Sequence, residues 1–365
     1  MHILYKKNPL SGSSGRMLTW QRVMTACLAI VTCFMISGCG GDVHSSAAMD
    51  PDRPIRIGVT FDSLVIERWE RDRDVFVSTA RELGAEVNVQ NANGDVNTQR
   101  SQIEYFMEKK MQAIVIVATD CDSLSSEISK AHRAGIKVVS YDRLINNAGT
   151  DLFISFDNRR VGELMAEGII ERGEAGDKVL QIGGPLTDSN VPAVMEGFDD
   201  KLQASGMETV KTYHCDNWRP EYAFDYVNAY LKENPDDYPD AIMCGNDSIA
   251  GQAIKALSER KLAGRITVTG QDADLDACQR IVEGTQYMTV YKPVEKLAQR
   301  AAELTVRLVQ TGSPAEDGEE TETVSDGTYD VPYVKLEPIK VTAENMDEVI
   351  IGSFHQREEV YLNVE

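Results

Sequence analysis

Positive charge is scarce in this sequence of 365 residues, which has 37 Lys and Arg against 58 Asp and Glu and a net charge of −21 at pH 7. Because phosphate binding needs a basic face, this shortage argues against nucleic acid as a partner. The glycine-rich loops of nucleotide-binding proteins and the HExxH motif of zinc proteases are also missing. No long apolar run follows the first forty residues. What remains is an acidic globular protein that is long enough for two domains.

The first forty residues have the composition of an export signal. Four Lys and Arg precede an apolar stretch at 23–36, which is too short for a membrane span. The stretch ends in Ile36-Ser-Gly-Cys39, which resembles the lipobox of bacterial lipoproteins. We predict a lipoprotein signal peptide at 1–38, lipidation of Cys39 and a flexible tether at 39–54, which would hold an exported protein at the outer face of the cell membrane. The alternative is an ordinary secretory signal in which Cys39 is incidental.

Cysteine spacing gives no sign of a metal site. None of the seven cysteines forms a CxxC pair or a zinc spacing. Cys27 and Cys33 belong to the predicted signal peptide, and four cysteines follow Cys39, namely Cys121, Cys215, Cys244 and Cys278. Export would permit a disulfide, for which Cys215 and Cys244 are the pair to test, but sequence does not fix connectivity. Four buried thiols are the favoured interpretation.

Short β-branched runs alternate with amphipathic stretches along most of the chain. One run at 56–61 precedes a helical pattern at 69–83, and another at 179–182 precedes a helical pattern at 191–204. This alternation is typical of right-handed βαβ units, in which helices cover both faces of a parallel sheet. Two such series predict an α/β protein with two doubly wound parallel-sheet lobes. The acidic stretch 316–330 interrupts the pattern and is predicted to be a solvated loop.

Polar side chains recur where the predicted strands end, and open α/β sheets bind ligands outside the carboxyl ends of their strands. These strand ends carry Asp62, Arg68, Trp69, Asp142, Arg143, Asp188, Asn190, Asp216, Trp218, Asn246, Asp247, Gln271, Asp272 and Lys292. Each sugar hydroxyl both donates and accepts, so carboxylate, amide and guanidinium groups bind it well, and an indole covers the C–H side of the ring. The pattern therefore favours a polyhydroxylated ligand. Any single member could instead be a helix cap, as we expect for Asp247.

Longer motifs make the resemblance to one family specific. They include Glu67-Arg-Trp69, Asp72-Arg-Asp74, Gln90-Asn-Ala-Asn-Gly94, Tyr141-Asp-Arg143, Ile154-Ser-Phe-Asp-Asn158, Gly270-Gln-Asp-Ala-Asp-Leu275 and Met288-Thr-Val-Tyr-Lys-Pro293. With these motifs, essentially all of residues 55–360 resembles the family of bacterial D-xylose-binding proteins. That family has the type I periplasmic-binding-protein fold.

The resemblance implies two α/β lobes, joined by three crossovers, that close on a sugar and present it to an ABC importer. The implied N-terminal lobe is 55–156 plus 292–335, and the implied C-terminal lobe is 157–291 plus 336–365. The implied sugar-binding residues are Arg68, Trp69, Asp142, Arg143, Asp188, Asn190, Trp218, Asn246, Asp272 and Lys292. The favoured ligand is D-xylose or a closely related monosaccharide, bound by a monomer that needs no cofactor and has no catalytic residue.

Two other functions stay open at this stage. Some lipid-anchored sugar-binding proteins of this family act as sensing partners of a membrane histidine kinase, and the pocket would be the same in both roles. A glycoside-processing enzyme needs only two cleft carboxylates, but no strand end suggests a poised acid, so we predict no enzyme. Asp272 and Glu283 imitate a calcium loop in which Ala277 replaces the required Gly, so we predict no metal. His132, His214 and His355 are expected to lie on the surface.

Overall fold

Residues 53–364, except Val65, Glu67 and 316–321, are described by the structure, which is a computed structural model. The predicted signal peptide, the predicted lipidation site Cys39 and nearly all of the predicted tether therefore lie outside the described residues. The chain from Pro54 onward forms one compact unit. Within the described ranges, no helix has the length and apolarity that crossing a membrane requires.

The described residues contain thirteen strands, numbered along the chain: β1 (Ile55–Phe61), β2 (Ala85–Asn91), β3 (Ala113–Ile116), β4 (Lys137–Tyr141), β5 (Leu152–Phe156), β6 (Lys178–Gly183), β7 (Glu208–His214), β8 (Ala241–Cys244), β9 (Thr267–Gln271), β10 (Met288–Tyr291), β11 (Thr323–Ser325), β12 (Asp330–Leu336) and β13 (Ile339–Thr342). They also contain the helices α1 (Arg68–Glu82), α2 (Val96–Glu108), α3 (Ser125–Arg133), α4 (Asn158–Ile170), α5 (Asn190–Ser205), α6 (Glu221–Glu233), α7 (Asp247–Ser258), α8 (Leu275–Val282), α9 (Val294–Thr311), α10 (Met346–Val349) and α11 (Arg357–Val360).

The strands form two sheets, each of which defines a lobe with the helices packed on it. The first sheet has the order β11-β12-β5-β4-β3-β1-β2, and the second has the order β13-β10-β9-β8-β6-β7. Neighbouring strands are parallel except at one edge of each sheet, where β11 runs antiparallel to β12 and β13 runs antiparallel to β10. The predicted fold class, two doubly wound lobes, is confirmed, and each sheet has one antiparallel strand in addition.

The prediction of a solvated loop at 316–330 is wrong for its second half. Thr323–Ser325 forms the edge strand β11, and a turn joins it to β12. Asp326 fixes this turn, because its Oδ1 accepts from the backbone N–H groups of Thr328 at 2.9 Å and Tyr329 at 2.7 Å. A Thr-Val-Ser segment suits a strand, and the Asp that follows it is a turn former rather than a sign of a long loop.

The chain crosses between the lobes three times, as predicted. It leaves the first sheet after β5, returns from the second sheet after β10, and crosses again between β12 and β13. The first and third crossovers touch, because the Asp157 N–H donates to the Leu336 carbonyl at 3.0 Å, and the second lies beside the third, because Tyr291 pairs with Ile339. Asn158 begins α4 after the first crossover, and Lys292 precedes α9 at the second. The junction of the lobes therefore brings side chains from the crossovers next to the strand ends of both sheets.

Helices α4 and α5 of the second lobe touch backbone to backbone. A Cβ atom on Gly162 would lie 1.9 Å from the carbonyl oxygen of Val194, and one on Gly197 would lie 2.1 Å from the carbonyl oxygen of Arg159. Only glycine permits such an approach, so any side chain at either position would push the helices apart. This close contact fixes the N-termini of both helices at the junction of the lobes.

The cysteines and one histidine give two further outcomes. Cys121, Cys215, Cys244 and Cys278 are all buried and unbridged, which confirms the favoured interpretation of four buried thiols. Burial raises the pKa of Cys121 and of Cys215 to about 12, so these thiols are poor nucleophiles. The surface prediction for His355 is wrong. Its ring is buried, and its Nε2 lies 2.8 Å from the carbonyl oxygen of Ala273.

Candidate ligand-binding cleft

A polar cavity lies between the two lobes, where the carboxyl ends of both sets of parallel strands face each other. Nine of the ten residues predicted to bind the ligand line this cavity: Arg68, Trp69, Asp142, Arg143, Asp188, Asn190, Trp218, Asp272 and Lys292. All of them are at most 7% exposed except Asn190, which is half-buried. Residues that are far apart in sequence are therefore collected in one enclosed site.

Arg68, the first residue of α1, lies among three carboxylates. Its Nη2 is 3.1 Å from Asp72 Oδ1 and 2.9 Å from Asp142 Oδ2, and its Nη1 is 4.0 Å from Asp272 Oδ1. The Tyr141 hydroxyl also donates to Asp72 Oδ1. Burial would lower the pKa of Arg68, but the three carboxylates outweigh it and raise the pKa well above its usual value. Arg68 is thus a permanent cation that reaches from the first lobe to a carboxylate of the second.

Arg143, two residues after β4, joins the two lobes. Its Nη1 donates to Asp62 Oδ2 at 2.7 Å and to the carbonyl oxygen of Ala118 at 2.8 Å, both in the first lobe. Its Nε lies 2.6 Å from Asp188 Oδ2 in the second lobe, and Trp218 Nε1 donates to the same oxygen at 3.1 Å. Burial raises the pKa of Asp188, although Arg143 opposes the rise. Removing one member of such a buried pair typically costs about 3–5 kcal/mol, because the other charge is left uncompensated.

Lys292 brings the second crossover into the site, and Asp142 contacts groups of both lobes there. Lys292 follows β10 at the second crossover, and its Nζ lies 2.7 Å from Asp272 Oδ1. Burial would raise the pKa of Asp142, but Arg68, Lys292 and Arg143 together lower it. Asn190 Nδ2 donates to Asp142 Oδ1 at 2.9 Å across the cleft. Asp142 is therefore an ionised acceptor that contacts both Arg68 of the first lobe and Asn190 of the second.

Carboxylates outnumber cations in this cluster. The cations are Arg68, Arg143 and Lys292, and the carboxylates in contact with them are Asp62, Asp72, Asp142, Asp188 and Asp272. Five carboxylates have more acceptor sites than three cations and their neighbours occupy. Such a surplus suits a ligand that carries several O–H donors, while the cations supply donors for the oxygens of the same hydroxyls.

Two indoles and several apolar side chains complete the walls. The Arg68 guanidinium carbon lies 4.4 Å from the centre of the Trp69 ring, and that of Arg143 lies 5.7 Å from it. Trp218 packs on Gly184, where an added Cβ would lie 2.3 Å from the indole. The apolar lining residues are Ile66, Val191, Val194, Met195 and Met243. The cavity thus has apolar patches beside its charged groups, as ligands with both C–H and O–H surfaces require.

Asn246, the tenth predicted residue, does not line the cavity. It is the N-cap of α7, and its Oδ1 accepts from the backbone N–H of Ile249 at 2.9 Å. The expectation that Asp247 caps this helix is therefore wrong by one residue. Asp247 stands at the first helical position, and its carboxylate is turned toward β10 instead, accepting from the Thr289 hydroxyl at 2.7 Å.

Sequence reasoning missed three side chains that belong to the cluster or its lining. Asp72 pairs with Arg68, although it stands in one of the quoted motifs. Asn158 lines the cavity, and its Nδ2 donates to Asn190 Oδ1 at 2.8 Å. Gln271 also lines the cavity and was present among the strand ends without being assigned a contact. All three residues stand in the quoted motifs or at the strand ends, but neither a motif nor a strand end shows which of its residues reach the cavity.

Two polar atoms of cavity-lining residues have neither a hydrogen-bond partner nor an ion-pair contact among the described residues. They are Trp69 Nε1, a donor, and Gln271 Oε1, an acceptor, and both are buried. Leaving a buried polar group unpaired costs about 1–3 kcal/mol. An unpaired donor and an unpaired acceptor on residues that line one cavity are consistent with a polar ligand that bonds both.

The lobes are closed on each other around this cavity. Arg143 to Asp188, Asn190 to Asp142, and the backbone N–H of Cys121 to the carbonyl oxygen of Thr187 at 3.0 Å all cross from one lobe to the other. Two hinged α/β lobes that enclose a polar cavity at their strand ends define a binding protein that closes on a small polar ligand.

Comparison with known proteins gives the family. A family model described as periplasmic binding protein domain matches residues 57–314. A D-xylose-binding periplasmic protein of Haemophilus influenzae is 42% identical over 87% of this chain and 95% of that protein. A protein of the same description from Escherichia coli is 40% identical over 84% of this chain and 93% of that protein. The chain belongs to the periplasmic-binding-protein family, and its relatives are exported binding proteins.

Solved structures agree with the fold. A solute-binding protein of an ABC transporter from Clostridium phytofermentans, with bound β-D-glucose, superposes with a TM-score of 0.74 at 27% identity and covers 84% of this chain and 99% of that one. A carbohydrate-transporter solute-binding protein from Chloroflexus aurantiacus, in complex with D-glucose, has a TM-score of 0.76 at 25% identity and covers 83% and 97%.

Proposed function

We propose that this protein binds D-xylose, or a closely related monosaccharide, outside the cytoplasm and delivers it to an ABC importer. The observation that carries the proposal is the closed cavity, in which cations of the first lobe meet carboxylates of both lobes and two buried polar atoms have no partner. The relatives at 42% and 40% identity are named as D-xylose-binding proteins, and the two structural neighbours hold D-glucose. These names support a sugar as the ligand class and xylose as the first sugar to test.

The ten predicted residues would contact different parts of the sugar, according to the chemistry of their side chains. Carboxylates such as Asp142 and Asp272 would accept from sugar hydroxyls, and Arg68, Arg143 and Lys292 would donate to their oxygens. The indoles of Trp69 and Trp218 would contact the C–H faces of the ring. Asn246, which does not line the cavity, would contribute only by fixing the N-terminus of α7. On this proposal, binding is charge-assisted hydrogen bonding in a site from which closure removes water.

Closure would follow from contacts made in both lobes. A sugar that touches both lobes has a higher affinity for the closed form, so it shifts the population toward that form without any chemical step. The lobes that would move are 55–156 plus 292–335 and 157–291 plus 336–365. The three crossovers between them would be the hinge, and a permease would recognise the closed form of a monomer.

Export and anchoring belong to the same proposal. Residues 1–38 would be removed as a signal peptide, Cys39 would carry the lipid, and the following residues would tether the binding unit to the membrane. The relatives named above are described as periplasmic, which supports export. Mass spectrometry of the mature N-terminus would find a lipidated Cys39, whereas cleavage elsewhere would reject the anchor.

The other functions considered from the sequence have less support. The comparisons do not favour a kinase-coupled sensor. The relatives are binding proteins rather than enzymes, and the cleft carboxylates are occupied by cations instead of being held as an isolated acid and base.

The test is calorimetry and thermal unfolding of the exported unit with D-xylose, D-glucose, L-arabinose, D-ribose and D-galactose. A ligand at a hundred times its Kd should raise the unfolding free energy by about 2.7 kcal/mol. Replacing Lys292 by Met should weaken binding roughly 10- to 100-fold, because a charge-assisted hydrogen bond is worth about 1.5–3 kcal/mol. Lys296→Met, an exposed change four residues away, is the matched control and should bind like the wild type.

The outcomes separate the parts of the proposal. Stabilisation by xylose alone would support the ligand, and stabilisation by another sugar would keep the site but change the ligand. If no sugar stabilised the protein, sugar binding would be rejected. If the two lysine variants bound sugar equally, Lys292 would be removed from the site.

A further inference from the structure

The turn that carries Asp272 has a backbone that needs outside support. Asp272 has φ 99° and Ala273 has φ 56°, so two consecutive residues with side chains occupy the left-handed region. Such backbone persists only where the surroundings hold it. Three successive N–H groups of the turn have acceptors outside it. The Asp272 N–H donates to the Val290 carbonyl at 2.9 Å, and the Ala273 N–H donates to Thr289 Oγ1 at 3.2 Å. The Asp274 N–H donates to Asp247 Oδ2 at 3.2 Å.

Two of these three acceptors are parts of one buried pair. Thr289 Oγ1 donates to Asp247 Oδ2 at 2.7 Å, so the carboxylate orients the hydroxyl that receives the Ala273 N–H. Gln286 Nε2 donates to the other oxygen of Asp247 at 2.8 Å. Asp247 and Thr289 are both completely buried, and Asp247 does not line the cavity. The pair therefore lies directly behind the ligand-facing turn.

A glycine leaves the space that the Asp247 carboxylate occupies. A Cβ atom on Gly270 would lie 2.2 Å from Asp247 Oδ1, so only glycine at 270 leaves room for it. The Arg280 guanidinium, from α8, donates to the Asp247 backbone carbonyl at 2.9 Å and to Gln286 Oε1 at 3.0 Å. Burying a carboxylate is costly, so its oxygens need hydrogen-bond partners. Those partners are the Asp274 N–H of the turn, the Thr289 hydroxyl of β10 and the Gln286 amide.

We propose that Asp247 is a positioning residue for the sugar site, which acts through Thr289 to hold the Asp272–Asp274 turn so that Asp272 faces the ligand. The inference rests on the proposed function and adds to it a residue that does not touch the ligand. A correctly held Asp272 meets Lys292 and approaches Arg68, whereas a relaxed turn would withdraw its carboxylate from both. The affinity of the site then depends on a hydroxyl and a carboxylate outside the cavity.

The test uses near-isosteric variants at position 289. Thr289→Val removes the acceptor for the Ala273 N–H and should weaken D-xylose binding at least 10-fold in calorimetry. Thr289→Ser keeps the hydroxyl and should stay within about threefold of the wild type. Thr269→Val is the matched control, because Thr269 is a buried threonine of the adjacent strand whose hydroxyl has no hydrogen-bond partner among the described residues. It should bind like the wild type.

Two further measurements make the result decisive. Asp247→Ala should lose affinity as Thr289→Val does, with both variants measured at a temperature at which circular dichroism shows them folded. If Asp247→Ala fails to fold, the Thr289 series decides alone. Wild-type affinity in Thr289→Val, or an equal loss in Thr269→Val, would overturn the inference.

A readout that needs no ligand separates this inference from the proposed function. Hydrogen exchange at the Ala273 and Asp274 amides should speed up at least 10-fold in Thr289→Val and not in Thr269→Val. If the wild type bound no sugar but exchange changed in this way, the proposed function would fail while the support of the turn would stand. Unchanged exchange would refute the support itself.

Discussion

At the scale of single residues, the site is built on unfavourable backbone. Asp142, Trp218 and Asp272 have φ values of 65°, 56° and 99°, and all three line the cavity. Left-handed residues with side chains cost about 1–3 kcal/mol each, and they cluster where function requires a fixed direction. Asp tolerates this region better than most residues, but Trp does not. The cleft thus stores strain in residues that line the cavity.

Asp247 makes stability depend on pH. Burial raises the pKa of Asp247 to about 7, with Arg280 opposing the rise and Asp272 adding to it. The folded protein therefore keeps a proton on Asp247 that the unfolded chain loses near pH 4. The free energy of unfolding should fall as pH rises from about 4 to about 7, by at most about 1.4 kcal/mol per pH unit, and this loss should level off above pH 7.

Urea unfolding of the wild type and of Asp247→Asn, at half-unit steps from pH 5 to pH 8.5, checks this prediction. The difference between the two proteins isolates Asp247, because Asp72 and Asp188, whose pKa values burial also raises, are present in both. The wild type should lose stability relative to the variant up to about pH 7 and hold a constant difference above it. Parallel curves over the whole range would show that Asp247 does not titrate there.

At the scale of elements, helix N-termini decide which polar residues are free to bind. Asn246 and Asp247 stand next to each other after β8, and sequence alone does not tell the cap from its neighbour. The backbone decides, because the cap needs extended φ and ψ while the next residue is already helical. Asn246 has φ −156° and ψ 177°, and its side chain is committed to the helix.

A serine at 246 separates capping from ligand contact. Asn246→Ala should destabilise the protein by about 1 kcal/mol, whereas Asn246→Ser should keep most of the stability because its hydroxyl also caps. If capping is the role of Asn246, Asn246→Ser should bind sugar like the wild type. The matched control is Asp95→Ala, which removes the cap of α2 at an exposed site outside the cavity lining and should cost stability with no change in affinity. A large loss of affinity in Asn246→Ser would show that Asn246 takes part in binding the ligand.

Strands and helices with a clear hydrophobic periodicity were predictable from the sequence, and the short edge strand of the first sheet was not. The alternation of strands and helices predicted two doubly wound lobes because parallel strands and their crossover helices leave a strong pattern. The strand β11 has only three residues and depends on pairing with β12, so its sequence alone did not predict it. Similarly, His355 was expected on the surface because burial of a lone histidine depends on which carbonyl the fold brings to it.

Site residues were predictable to the extent that they end strands. That rule collected ten cavity residues, Gln271 among them, since parallel strands of one sheet end at one edge. Asn158 also stands two residues after a strand, β5, and lines the cavity, but the rule does not show which residues near a strand end reach it. The rule also could not reveal the support behind Asp272, which depends on Thr289 from the neighbouring strand.

At the scale of the whole molecule, one backbone contact allows the lobes to be locked. The Cys121 N–H donates to the Thr187 carbonyl at 3.0 Å across the closed cleft. Residues joined by a backbone hydrogen bond are close neighbours, and a disulfide needs Cα atoms roughly 4.4–6.8 Å apart. Thr187→Cys should therefore form a bridge with Cys121 when oxidised, and Thr187→Ser is the control that cannot.

Oxidised Thr187→Cys should stay closed. Small-angle scattering should give the same radius of gyration with and without sugar, and the release of bound sugar should slow at least 10-fold. Reduction should restore wild-type behaviour in both measurements. Sugar exchange at the wild-type rate in the fully oxidised variant would show that ligand leaves without separation of the lobes.

The position of the last crossover also determines when each lobe can be completed. The first sheet needs β12, which ends at Leu336, and the second sheet needs β13, which ends at Thr342. Neither sheet has all its strands until nearly the whole polypeptide has been made, so the nascent chain has no finished lobe to fold around early in its synthesis. A truncation that ends before residue 330 would therefore leave both lobes incomplete.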